Sequence, residues 1–199
     1  ADAEVEQLLD VLDERKGVLL ASSYEYPGRY ARWTLGFTDP MLSFTGRDRS
    51  FTISAENARG RVFLESLREV FAGEPDVVDN VTPVEGDAFS GTIRVPEGTF
   101  EEEQRSKQPS LFSVVRILTR HFEYARDAQL GLYGAFGYDL TFQFDPVKMA
   151  KERDDDQRDL VLFIPDEILV IDSDRKDAWR IQYDFEVAPG KSTVGLPRE

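Results

Sequence analysis

The apolar residues of this chain recur in two places at the spacing of one helical face. Near the start they fall at Val5, Leu8, Leu9 and Leu12, and further on at Leu111, Val114, Val115, Leu118 and Phe122. Because positions three and four apart share one side of a helix, each stripe predicts an amphipathic helix. A shorter helix is predicted over 64–71, ending at Gly73.

Short apolar runs bounded by Gly, Pro or charged residues predict strands. They cover 18–23, 32–37, 50–54, 92–95, 159–172 and 179–185, and Pro165-Asp166 divides the fifth run in two. Residues 73–91, rich in Gly, Pro, Asp and Asn, predict a mobile surface connection. Helices and strands are mixed without a regular strand–helix–strand rhythm. We therefore expect an α+β fold with a mostly antiparallel sheet.

The composition excludes several classes of function. The 199 residues include 38 acidic and 24 basic side chains, one His and no Cys, and the formal net charge is −14. The lack of Cys excludes disulfides, thiolate metal sites, Cys nucleophiles and iron–sulfur clusters. A Ser-His-Asp triad would depend on His121 alone, and the sequence has no G-x-S-x-G motif. The strong negative charge argues against binding to nucleic acid or to an anionic membrane.

The sequence also predicts a location and a domain boundary. The N-terminus is acidic and amphipathic, unlike a targeting signal, and the apolar runs are too short to span a bilayer, so we expect a cytoplasmic protein. Residues 1–187 are predicted to form one domain. Residues 188–199, rich in Pro, Gly, Ser and Lys, are predicted to begin a linker to a further domain.

Two kinds of residue cluster suggest chemistry but favour a structural interpretation. The acidic runs 101–103 and 154–156 are contiguous, whereas catalytic or metal-binding carboxylates must converge from several directions. We therefore expect solvated loops. Gly131, Gly134 and Gly137 fit neither the dinucleotide-binding nor the Walker A spacing. These glycines predict close packing of the backbone. The aromatic residues at 133, 136 and 138 are then expected to fill the core.

The segment 24–33 mixes Arg with aromatic residues. Arginine beside an aromatic ring can hold an anionic or aromatic ligand, through cation–π contact and paired hydrogen bonds. The same residues can also form a ladder on the surface of a strand. The residues alone leave both interpretations open.

Four stretches of the chain, in order, resemble the N-terminal region of anthranilate synthase component I. They are 17–33 (GVLLASSYEYPGRYARW), 102–107 (EEQRSK), 131–145 (GLYGAFGYDLTFQFD) and 156–170 (DQRDLVLFIPDEILV). The form most similar to this chain is the long bacterial one, in which synthase and glutaminase are fused. The resemblance implies the N-terminal domain of the chorismate-utilising synthase fold.

The resemblance also implies a reaction and the partners that complete it. Enzymes of this family convert chorismate and glutamine to anthranilate, pyruvate and glutamate in tryptophan biosynthesis. Their chorismate and Mg²⁺ are held by a C-terminal domain, and their glutaminase is a further domain or subunit. We therefore expect this chain to contain no catalytic residue or cofactor of its own, to be inactive alone, and to belong to a homo-oligomeric enzyme.

A feedback site for L-tryptophan is the function that the resemblance gives to this region. The family marks it with a Leu-Leu-Glu-Ser strand, which Leu19-Leu20-Ala21-Ser22 matches here. The resemblance makes Leu20, Ser22 and Arg32 the tryptophan-binding residues. Ala21 replaces the usual Glu, which removes a carboxylate able to pair with the ammonium group of the ligand. A strand-end hydroxyl at Ser22 and a surface ion pair at Arg32 are the structural alternatives.

Three other functions stay open at this point. The chain could belong to a sibling enzyme such as aminodeoxychorismate synthase. It could be a free-standing amino-acid-binding module, or a scaffold that docks a glutaminase.

Overall fold

The computed structural model describes residues 2–21, 32–98, 101–105, 107–124, 127–144, 147 and 150–198. The helices among them are α1 (Asp2–Leu12), α2 (Ala58–Arg61), α3 (Leu64–Ala72), α4 (Glu102–Arg105) and α5 (Leu111–Phe122), with a 3-10 helix at Tyr138–Gln143. The strands are β1 (Gly17–Ala21), β2 (Trp33–Thr38), β3 (Leu42–Arg47), β4 (Ser50–Ala55), β5 (Val78–Val81), β6 (Ala88–Ile93), β7 (Tyr133–Phe136), β8 (Leu160–Ile164), β9 (Glu167–Asp172), β10 (Asp177–Gln182), β11 (Glu186–Ala188) and β12 (Lys191–Ser192).

These strands form two main sheets and a small hairpin. One sheet has six strands in the order β5-β6-β4-β3-β8-β7, the other has four in the order β1-β2-β9-β10, and β11 pairs with β12. Every pair is antiparallel. The α+β fold with antiparallel sheets is therefore confirmed.

Most of the predicted elements are present, but most of the acidic run 101–103, expected to form a solvated loop, lies in α4. The three predicted helices are α1, α3 and α5, and predicted strands match β1, β2, β4, β8, β9 and β10. The expected mobile connection over 73–91 instead contains β5 and the start of β6. Phe89 and Ile93 of β6 are buried, and β6 pairs with β4 along its length. Partners distant in sequence thus outweigh the turn-rich composition of the segment.

The core lies between the six-stranded sheet and the helices α3 and α5. Phe51 of β4 packs on Phe71 of α3, with ring centroids 5.1 Å apart, and on Phe44 of β3 at 6.0 Å. The stripe of α5 faces the same core, where Leu111 and Leu118 are fully buried. Burial of this apolar surface is the main force that holds helices and sheet together.

The chain passes from one sheet to the other at Pro165-Asp166. β8 belongs to the six-stranded sheet and β9 to the four-stranded sheet, so this turn is a corner between sheets. The buried side chain of Arg59 forms an ion pair with Asp166 there and donates hydrogen bonds to the carbonyl oxygens of Thr193 and Leu196. The predicted linker therefore begins with residues that pack on the domain. Whether it leads to a further domain stays a prediction.

Candidate functional site

All four strands bring apolar side chains to one face of the four-stranded sheet. Leu20 of β1 lies opposite Leu35 of β2, Leu35 lies opposite Val170 of β9, and Val170 lies opposite Trp179 of β10. Directly opposed residues of antiparallel strands share a face, and so do residues two apart on one strand. Trp33, two positions before Leu35, therefore belongs to the same face.

Part of this sheet is covered by other elements. The helix α1 packs on the opposite face, where a Cβ at Gly36 would overlap the side chain of Leu8. On the near face, Tyr133 of β7 packs on Phe37, with ring centroids 5.6 Å apart. Among the described residues, these contacts do not extend to the end of the face that carries the two tryptophans.

We call the surface formed by the partly exposed side chains of Leu20, Trp33 and Trp179 the open face. The three residues are 50%, 44% and 37% exposed, which is unusual for large apolar side chains. The two indole rings meet edge to face, with centroids 6.1 Å apart. Such a surface can accept a flat apolar or aromatic group.

A charged pair borders the open face at Trp33. The Arg32 guanidinium donates from Nε to Asp172 Oδ1 at 3.1 Å and from Nη2 to Asp172 Oδ2 at 2.7 Å. Its Cζ lies 4.7 Å from the centroid of the Trp33 ring, within cation–π distance. The ion pair considered as an alternative for Arg32 is thus present. Arg32 remains partly exposed, and its binding of tryptophan stays a prediction.

The carboxylate of Asp172 is fully buried and has further donors. The backbone N–H groups of Asp174 and Arg175 donate to its Oδ1 at 3.2 and 3.3 Å. The hydrogen bond from Arg32 lowers the pKa of Asp172 below its ordinary value, and the same bond raises the pKa of Arg32. Both groups are therefore charged at neutral pH.

The three predicted tryptophan-binding residues have different outcomes. Leu20 lies on the open face, and Arg32 lies beside it. Ser22 falls outside the described residues; it directly follows Ala21, the last residue of β1. The sequence pattern did not point to Trp179 or Asp172. A signal for Asp172 was present, because a charged residue there ends the apolar run 168–171.

The glycine-rich segment confirms part of its prediction. A Cβ at Gly134 would overlap the carbonyl oxygen of Val161, and one at Gly137 would lie 3.1 Å from that of Asp159, so both mark close backbone packing. Gly131 has open space around it, so the prediction is wrong there.

The expectation that the aromatic residues of this segment fill the core is wrong. Tyr138 is 85% exposed and Phe136 is half-exposed, while Tyr133 is partly buried. For Phe136 the physical reason is that β7 is an edge strand, which within the described parts of the chain pairs only with β8. Tyr138 lies beyond β7, at the start of the 3-10 helix.

The other candidates carry no arrangement that suggests catalysis. His121 lies near the end of α5 with its ring edge-on to Phe122, and partial burial lowers its pKa. Asp154, Asp155 and Asp156 are exposed, as predicted. Within the described ranges, no three His, Asp or Glu side chains are grouped so that they could hold a metal ion.

A cavity of about 610 Å³ lies away from the open face, lined by Phe63, Phe122, Tyr183 and Phe185 among others. Burial, together with the neighbouring Asp127, raises the pKa of the Tyr183 hydroxyl, so this group stays neutral and cannot act as a base near pH 7. The open face, which combines aromatic surface with a charged pair, is the stronger candidate for a binding site.

None of the helices in the described parts of the chain is long and apolar enough to cross a membrane.

Comparison with known proteins places this geometry in context. The chain is 44% identical over 198 residues to a protein of Azospirillum brasilense named anthranilate synthase, a match that covers 96% of the chain and 26% of that protein. It is 24% identical over 165 residues to anthranilate synthase component 1 of Vibrio cholerae, covering 81% of the chain and 30% of that protein. The chain thus spans less than a third of these curated relatives. No family model matches it.

Proposed function

We propose, from the premise that this chain is a homologue of the N-terminal part of anthranilate synthase, that it is the regulatory and scaffolding part of such an enzyme. The complete enzyme would convert chorismate and glutamine to anthranilate, pyruvate and glutamate in the cytoplasm. The chain itself would bind L-tryptophan as the feedback inhibitor. The 44% identity over nearly the whole chain is the observation that carries this proposal.

The reaction itself is assigned to regions beyond this chain. A C-terminal domain would hold chorismate and Mg²⁺, and a glutaminase domain or subunit would supply ammonia. On the same premise, the complete enzyme is a homo-oligomer, and the isolated chain has no lyase activity.

The open face supports the proposed tryptophan site. An indole ring can lie on Leu20 and the two tryptophans, and the guanidinium of Arg32 beside them can attract the carboxylate of an amino acid. Ser22 would complete the site from the end of β1. Inhibition would follow if tryptophan binds one arrangement of this domain and the catalytic domain more tightly than the other.

The test uses the complete polypeptide that carries this chain. With chorismate and glutamine it should form anthranilate, and L-tryptophan should inhibit that reaction. Ser22→Phe should raise the tryptophan concentration needed for half-inhibition, because the bulky ring fills the site. Ser50→Phe is the matched control, since Ser50 is an exposed residue of the other sheet. Ser22→Phe enzyme with the tryptophan sensitivity of the wild type would refute the site.

The same experiment separates the alternative functions. Aminodeoxychorismate as product would assign the chain to the sibling enzyme. Calorimetry of the isolated chain with L-tryptophan addresses the free-standing module, for which one-to-one binding without any other domain is expected. If the polypeptide forms neither of the two products and does not bind tryptophan, the scaffold role is the alternative that remains.

A further inference from the structure

We propose that Asp172 is a positioning residue of the tryptophan site, acting through Arg32; this inference rests on the function proposed above. The buried carboxylate of Asp172 holds the Arg32 guanidinium in one orientation against the Trp33 ring. The guanidinium nitrogen that Asp172 does not use, Nη1, is then left to bind the carboxylate of an aromatic amino acid on the open face.

The carboxylate of Asp172 is itself held in place by the backbone. Its Oδ1 accepts hydrogen bonds from two backbone N–H groups of the turn between β9 and β10, those of Asp174 and Arg175. The backbone N–H of Ser173 donates to the carbonyl oxygen of Arg32 at 2.8 Å. The turn therefore holds Arg32 by its backbone and by its side chain at once.

Arg32 has hydrogen-bond donors that Asp172 does not use. Asp172 uses Nε and Nη2, which form one edge of the guanidinium, and the Trp33 ring lies 4.7 Å away on one side of its plane. A guanidinium has five N–H donors, and within the described parts of the chain no residue accepts a hydrogen bond from Nη1. Because Arg32 is partly exposed, a carboxylate from solvent can reach this nitrogen.

Two effects of Asp172 on such a carboxylate oppose each other. Its negative charge repels the ligand, but the cationic guanidinium lies between the two groups and the solvent side is screened by salt. Its hydrogen bonds immobilise Arg32 before the ligand arrives, which removes the entropic cost of ordering this side chain from binding. We expect immobilisation to dominate, so that loss of the carboxylate weakens tryptophan binding roughly three- to tenfold.

The test compares Asp172→Asn with Glu167→Gln in the complete polypeptide. Glu167 lies on the same strand but on the opposite face of the sheet, where it accepts a hydrogen bond from Arg180 at 2.9 Å. The inhibition constant of L-tryptophan is measured together with kcat and KM for chorismate. Asp172→Asn should raise the inhibition constant about three- to tenfold, beyond any change in KM, and Glu167→Gln should leave it unchanged.

A double-mutant cycle separates positioning from a merely structural role. If Asp172 acts through Arg32, adding Asp172→Asn to Arg32→Ala should not weaken inhibition further. Arg32→Lys keeps the charge beside the buried carboxylate but loses the planar fork, so it should weaken inhibition in a folded protein. Unchanged or tighter inhibition in Asp172→Asn, or a full additional effect on top of Arg32→Ala, would overturn the inference.

The outcomes also distinguish this inference from the function on which it rests. A wild-type enzyme that tryptophan does not inhibit would refute both. If Ser22→Phe relieves inhibition while Asp172→Asn and Arg32→Lys do not, the feedback site stands and only the role of Asp172 is wrong.

Discussion

Arg59 offers a quantitative test of how the two sheets are held together. Its guanidinium is fully buried and pairs with Asp166 at the corner between β8 and β9. It also donates hydrogen bonds to the carbonyl oxygens of Tyr183 at 2.7 Å, Thr193 at 2.8 Å and Leu196 at 3.1 Å. Arg59→Ala would remove all of these bonds and leave the buried Asp166 carboxylate without this partner.

The size of the effect follows from the surroundings of the acidic partners. Removing one side of a buried ion pair costs about 3–5 kcal/mol. Asp184, the second acidic partner of Arg59, is half-exposed and can be rehydrated, and Arg198 Nε stays 3.6 Å from Asp166. We therefore expect the lower part of that range, about 3–4 kcal/mol. In a domain of this size, that loss lowers Tm by roughly 6–16 °C.

The assay is thermal and urea unfolding followed by far-UV circular dichroism, with Arg94→Ala as the matched control. Arg94 pairs with Asp79 at the surface, so its loss should cost at most about 1 kcal/mol. Exchange of the Thr193 N–H, which donates to Phe185, should also lose protection in Arg59→Ala. Equal destabilisation in the two variants would refute the argument that burial makes the Arg59 pair the stronger one.

Three further predictions concern packing and titration. Gly60→Ala should destabilise the fold by about 1–3 kcal/mol in urea unfolding, because the new Cβ would overlap the Met41 carbonyl oxygen. Gly73→Ala is the control, because its new Cβ would meet no atom closer than 3.4 Å, and its free energy of unfolding should stay within about 1 kcal/mol of the wild type. A similar loss of stability in the two variants would contradict this interpretation. The ion pair with Arg32 holds the pKa of the Asp172 carboxyl below its ordinary value of 3.8. The pair therefore stabilises the fold fully above pH 3.8, and this stabilisation is lost as the pH falls through the lower pKa that Asp172 has in the folded protein. The difference in urea midpoint between wild type and Asp172→Asn should therefore be constant near pH 7 and shrink in acid; a pH-independent difference would contradict it. His121, the sole histidine, should give one imidazole NMR signal that titrates below 6.5, and a higher midpoint would mean that the net negative charge outweighs burial.

The candidate site could be predicted from the sequence only in part. The resemblance selected Leu20 and Arg32, and the structure brings both to the open face. The charged residue that ends the apolar run 168–171 marked Asp172 in the sequence, but no pattern linked Asp172 or Trp179 to this site. Both lie about 140 residues further along the chain and reach Arg32 and Trp33 only through the pairing of β2 with β9 and of β9 with β10. The register of paired strands depends on contacts across the whole sheet, so the pattern of apolar residues along one strand does not determine it.

The sequence by itself determined the local elements of this protein. The helical stripe of α5 and the strands on either side of Pro165 follow from apolar spacing and from proline, which are properties of neighbouring residues. The tertiary structure alone decided that β8 and β9 belong to different sheets, that 73–91 contains strands, and that β7 is an edge strand with Phe136 half-exposed. These outcomes depend on which distant segments cover one another, because burial and ion pairing are properties of the assembled chain.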